Sequence, residues 1–299
     1  MIHKIGSTWF IISVMACLFG FSVEPEKQFV EENGTEYRFH NIKADLIVEK
    51  TAWHLKLIGE DGNVQFEEAK APSFLIDNEW VSLSKVERME EMGDDKIRLH
   101  IVLSNQEKAS AEIEKVGDHG FKIIIRSQGQ NVSAIKGATR LKMVEEVYGF
   151  GEMWNGHVAQ RGQSFDLWDH NGTPDECAYM PYYVSTNNYT FFLNYGGKVF
   201  FDVGKKRADE IVYSAPTDRF EFLLGSGKSI PNAVKNFLEI NGMPAAPPRW
   251  SFKPWFWLMS DPDQPEASVE TLKGVHFPEM VQLLKKLDIP IGVTWFEPP

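Results

Sequence analysis

From about Glu26 to Phe222 the sequence is a succession of short apolar runs divided by turn residues, with no helical period between them. The runs "EYRFHNIKADLIVEK", "AWHLKLIG", "SFLID", "DKIRLHIVLS", "AEIEKV", "FKIIIRSQ" and "KVFFDVG" all read as strands. "EDGN", "GDD", "GDHG" and "NYGG" stand between them as turns. Strands this closely spaced, without crossover helices, indicate an antiparallel β-sandwich.

The pattern changes late in the chain. In "GSGKSIPNAVKNFLEINGMP", Ser229 is a natural N-cap and Pro231 suits the first turn. Ala233, Val234, Phe237 and Leu238 make one apolar stripe, and Gly242 supplies the stop. "PAAPPRW" then reads as a linker. Beyond it "SFKPWFWLM" reads as a strand, "HFPEMVQLLKKLDIP" as a helix and "IGVTWF" as a buried strand. A β-α-β order predicts that the two strands are parallel. The long polar segment between Met259 and Gly274 leaves the C-terminal end of the first strand, where such loops usually carry function.

The net charge of -11 disfavours a phosphate backbone, so nucleic acid is not an expected partner. "VEPEKQFVEEN" and "VEEV" read as solvated faces. The first 25 residues read as a leader: an early Lys4, then an apolar run from Trp9 to Val23, too short to span a bilayer as a helix. Val14-Met15-Ala16-Cys17 resembles a lipoprotein cleavage box, which makes Cys17 a candidate lipid anchor. Cleavage nearer Ser22 is the alternative. Cys17 and Cys177 are the two cysteines, so removal of the leader leaves no internal disulfide. Export without disulfides points to a bacterial periplasm, envelope or exterior.

Several apparent motifs fail on spacing. "LLGSGKS" has Phe222 where a phosphate loop needs glycine, and "YGFGEMWNG" is too widely spaced for a dinucleotide fingerprint. The eight His show no ligand spacing, so no metal motif is present. Three stretches remain: "YGFGEMWNGHVAQRGQSFDLWDHNG", "INGMPAAPPRWSFKPWFW" and "IPIGVTWFEPP". Each sets aromatic rings beside polar residues at Gly or Pro turns. Rings take the C–H face of a pyranose, and carboxylates or amides take its hydroxyls.

Those stretches resemble the glycoside hydrolases of family 31, which include α-glucosidases and α-xylosidases. Tyr148-Gly-Phe-Gly-Glu152 is similar to the family's "YGLGE". "QSFDLWDHNGTPDECAYMPYYVSTNNYTFFLN" is similar to its next conserved stretch, and "SIPNAVKNFLEINGMPAAPPRWSF" to its passage from sandwich to barrel. The resemblance is continuous from about Tyr148 to Pro299 and implies a galactose-mutarotase-like antiparallel β-sandwich, residues 26–246. It also implies a truncated start of a (β/α)8 TIM barrel at residues 247–299, since a whole barrel takes roughly 250 residues.

The implied activity is retaining hydrolysis of a terminal α-linked sugar by two carboxyl groups roughly 5 Å apart, without a metal or organic cofactor. In the family both are Asp on later barrel strands, so the resemblance places the pair beyond Pro299 and the substrate, an oligosaccharide or glycoside, partly within this chain. Glu297 matches an acid at the tip of the second barrel strand that binds sugar hydroxyls, where the family has Asp. Asn171, with Asp169 two residues earlier, matches an Asp from a sandwich loop. Trp255 and Trp257 match the first barrel strand, where an aromatic walls the site; either ring is equally accounted for by barrel-core packing. A non-catalytic carbohydrate-binding sandwich is the alternative.

Overall fold

The computed structural model describes residues 28–129, 131–153, 155–167, 176–258 and 277–296. It divides between Gly242 and Met243 into two units. The first opens with an antiparallel ribbon of β1 (Val30–Glu32), β2 (Glu36–His40), β3 (Ala44–Glu49), β4 (His54–Gly59) and the start of β5 (Val64–Ile76). The run "EYRFHNIKADLIVEK" is therefore not one strand but a hairpin, bent where Asn41 donates its Nδ2 to Gly120 O at 2.9 Å and accepts from Ile42 N at 2.7 Å.

Two layers follow, and all their strand pairs are antiparallel. One layer runs from β6 (Glu79–Gly93) to β5, β10 (Val132–Arg140), β16 (Glu210–Ala215), β15 (Val199–Val203) and β12 (Gln163–Leu167). The other runs from β6 to β7 (Lys96–Leu103), β8 (Lys108–Val116), β9 (Gly120–Ser127) and β17 (Arg219–Ser226), and on to β14 (Tyr189–Leu193), β13 (Glu176–Ser185) and β11 (Val147–Met153). The long hairpin β5–β6 passes from one layer to the other.

Aromatic rings fill the space between the layers. Phe191 of one meets Tyr213 of the other at 4.9 Å between centroids, Phe150 meets Phe201 at 4.9 Å, and Phe74 meets Phe220 at 5.8 Å. Strand alternation sorts neighbouring rings to opposite sides. Tyr183 is sealed in this core, while Tyr182 turns outward to the helix α1 (Ile230–Asn241), with its ring 4.3 Å from Phe237. Burial pushes the Tyr182 hydroxyl up to about 12.

Helix α1 has the ends its sequence predicts. Ser229 Oγ accepts from Asn232 N at 3.3 Å, and Gly242, at φ 106°, donates its N–H to Leu238 O at 2.8 Å. Ala233 and Phe237 are buried, with Val234 and Leu238 partly so. Ser229→Ala is expected to cost about 1 kcal/mol, read as a lower urea midpoint with an unchanged slope.

The second unit holds a short 3-10 turn (Arg249–Phe252), β18 (Trp255–Leu258), α2 (Phe277–Lys286) and β19 (Val293–Phe296). β18 and β19 pair in parallel, Trp255 opposite Val293 and Leu258 opposite Phe296, as the β-α-β order predicts. No helix among the described residues is long and apolar enough to cross a membrane.

Candidate functional site

Two of the five residues singled out from sequence lie on a described strand. Trp255 and Trp257 are two apart on β18, with Trp257 opposite Trp295 of β19. The Trp255 ring is 57% exposed, and its Nε1 donates to Ser251 O at 2.9 Å. It is thus a surface ring tethered at one edge in this unit. Asp169, Asn171 and Glu297 lie outside the described residues. Their frames are described. β12 ends at Leu167 and β13 begins at Glu176, which bracket the segment with Asp169 and Asn171. β19 ends at Phe296, directly before Glu297. Because β18 and β19 are parallel, Leu258 and Phe296 end the pair on the same side.

The "YGFGE" stretch forms the inner frame of the first of these segments. Gly149, Phe150 and Gly151 have φ of 126°, 69° and 88°, three successive residues in the left-handed half of backbone space. The consequence is a change of face. Tyr148 and Phe150 are two apart and would share one face of a regular strand. Instead Tyr148 packs into the cluster beneath α1, and Phe150 enters the core between Phe165 at 5.0 Å and Tyr183 at 5.5 Å. The glycines are required by close approach. A Cβ on Gly149 would stand 2.7 Å from Tyr182 O, and one on Gly151 2.0 Å from Ala178 O. Phe150 is therefore core and no sugar platform, and the motif acts by pressing β11 against β13.

A buried polar clamp holds the turn before β11. Glu145 Oε1 accepts from Ser185 Oγ at 2.5 Å, and its Oε2 accepts from Lys142 N at 3.0 Å. Arg161 donates to Lys142 O, Glu145 O and Ala208 O at 2.7 to 2.9 Å. "VEEV" reads as a solvated face, but Glu145 is buried. Besides Lys142, its partners Ser185 and Arg161 are 40 and 16 residues away, which local pattern cannot reveal. Among the described residues no group of three His, Cys, Asp or Glu is placed to hold a metal ion.

No protein-family profile matches the chain. The sequence is 33% identical over 118 residues to an α-xylosidase of Emericella nidulans, covering 38% of this chain and 15% of that protein. The fold matches the cycloalternan-forming enzyme from Listeria monocytogenes, solved with a pentasaccharide substrate, at a TM-score of 0.57 and 16% identity over 92% of this chain and 22% of the other. It also matches a family 31 sulfoquinovosidase from E. rectale at a TM-score of 0.53 and 13% identity, over 89% of this chain and 40% of the other. The chain thus spans well under half the length of each. The first unit is a β-sandwich of the kind these carbohydrate-processing proteins carry. By sequence and fold the chain is similar to the N-terminal part of the glycoside hydrolases of family 31.

Proposed function

We propose that this chain is the N-terminal part of an exported, retaining α-glycosidase that releases a terminal α-linked sugar, of α-xylosidase or α-glucosidase type. The observation that carries the reading is the 33% identity to the α-xylosidase. The second unit is then the first β-α-β of a (β/α)8 barrel. The parallel register of β18 and β19 supports this, as do the exposed apolar side chains of Trp250, Phe252, Leu283 and Leu287. A closed barrel covers faces of this kind. Hydrolysis with retention needs two carboxyl groups about 5 Å apart, and in this reading both lie beyond Pro299. Residues 1–299 alone are then inactive. Their part is to hold the terminal sugar: Glu297 and Asn171, with Asp169, take hydroxyls, and Trp255 or Trp257 offers a ring face. The leader directs export, with Cys17 as the lipid anchor if cleavage falls there.

The test is to read the source DNA past codon 299 and assay the whole product on 4-nitrophenyl α-xyloside and α-glucoside. About six further βα units and turnover of one substrate are expected. A stop codon directly after Pro299, or sugar binding without turnover, would make the chain a carbohydrate-binding sandwich instead. In the active protein, Asn171→Asp and Glu297→Asp are each expected to shift the xyloside to glucoside ratio of kcat/KM by about tenfold. An unchanged ratio in both would remove these residues from the sugar subsite.

A further inference from the structure

The outer face of the layer β6–β5–β10–β16–β15–β12 has no part in that reading. Helix α1 lies against the other layer, and it is the only α-helix among the described residues of the first unit. One row of cross-strand neighbours crosses this face: Ser73, Lys136, Ser214, Phe200 and Asp166. Two residues along lies the row Ala138, Val212 and Asp202. Short side chains between tall ones leave two pockets, of about 250 and 260 Å³, that share Phe200. Trp80 lines one, and Asp202, Lys206 and Arg207 line the other.

Three features define what the groove takes. Trp80 is 43% exposed and Phe200 partly exposed, two apolar surfaces suited to the C–H faces of sugar rings. Lys136 Nζ stands 4.3 Å from the Trp80 ring centre, and Lys206 Nζ 5.4 Å from that of Phe200. Neither ammonium meets a carboxylate among the described residues. Their neighbours are engaged: Lys198 pairs with Asp166 at 2.7 Å, and Lys70 and Arg207 hold the buried Glu210 at 2.9 and 3.3 Å. Finally, Asp202 is 2% exposed. Its Oδ1 accepts from the N–H groups of Lys205 and Lys206 at 3.1 Å each, and its Oδ2 has no partner. That oxygen is itself sealed from solvent, so the contacts open to a ligand come from the two rings and the two ammonium groups.

We propose that this face binds an acidic oligosaccharide, with pyranose rings on Trp80 and Phe200 and carboxylates on Lys136 and Lys206. A neutral glycan would use the two rings but neither ammonium group. The proposal rests on the sheet face alone and holds whether or not the chain is part of a glycosidase.

The test is calorimetric titration of the protein at low salt with an oligogalacturonate and with a neutral cello-oligosaccharide of equal length. The oligogalacturonate is expected to bind at least about tenfold more tightly, a difference of about 1.4 kcal/mol, and to weaken as salt rises. Lys136→Met combined with Lys206→Met keeps the apolar stems and is expected to abolish that preference while the unfolding transition stays in place. Trp80→Ala is expected to weaken both ligands. Equal affinity for the two sugars, absence of oligogalacturonate binding, or full preference in the double lysine variant would overturn the proposal. Displacement of the oligogalacturonate by a single-stranded oligonucleotide would do the same, by revealing a general polyanion surface.

Discussion

Gly151→Ala is expected to destabilise the first unit by about 3–4 kcal/mol, near the upper end for a single substitution. The added Cβ would stand 2.0 Å from Ala178 O and 2.8 Å from Met180 N, both backbone atoms of β13 that no rotamer change can move. The φ of 88° adds the cost of a left-handed alanine, about 1–2 kcal/mol. β11 cannot back away without lifting Phe150 out of its ring cluster or breaking the pairing of Glu152 with Ala178. Gly156 separates the two causes. It has a φ of 76° with nothing within 4 Å of a built Cβ, so Gly156→Ala should cost only the backbone part, about 1–2 kcal/mol. Urea unfolding of both variants decides the matter. Equal losses would mean that the close approach to β13 contributes nothing.

Glu68 is expected to make the sandwich less stable as pH rises. Its side chain is sealed between the layers. Oε2 accepts from Trp53 Nε1 at 2.9 Å and Leu55 N at 3.0 Å, and Oε1 has no partner. Burial outweighs both hydrogen bonds and pushes the carboxyl from 4.5 up to about 8. Between those two values the folded protein holds one more proton than the unfolded chain. This contribution is fully present below about pH 4.5 and is lost as pH rises through about 8, at up to about 1.4 kcal/mol per pH unit. Glu68→Gln keeps an oxygen for Trp53 and Leu55 and removes the proton. Unfolding free energy measured from pH 5 to 8 should therefore fall less steeply in the variant. Parallel curves would show that Glu68 is already ionised in the fold.

Both effects arise from residues that the sequence presents without emphasis. Glu68 stands in "VQFEEAK", indistinguishable by pattern from Glu67, which meets His54 and Arg140 nearer the surface. Strand β6 is illegible for a related reason. "ERMEEMG" has no apolar alternation because its outer half is largely solvent-facing, and its order comes from pairing with β7. Register with a distant partner leaves no local mark. The groove of Trp80, Lys136, Phe200 and Asp202 is assembled from β6, β10 and β15, separated in the chain by many tens of residues.

What the sequence alone determined is what short-range chemistry dictates. Alternation and turn residues specified an antiparallel sandwich. Ser229, Pro231 and Gly242 marked the ends of α1, and the β-α-β order set the parallel pair. Each is read within a single run of residues or from the order of successive runs. Only the tertiary structure decided which rings are core and which are surface. Phe150 and Phe200 are alike as letters, yet one lies sealed between the layers through a left-handed kink, and the other faces out beside a buried, half-satisfied carboxylate. Burial and pairing are sums over neighbours brought from the whole chain, and those neighbours are set by strand register.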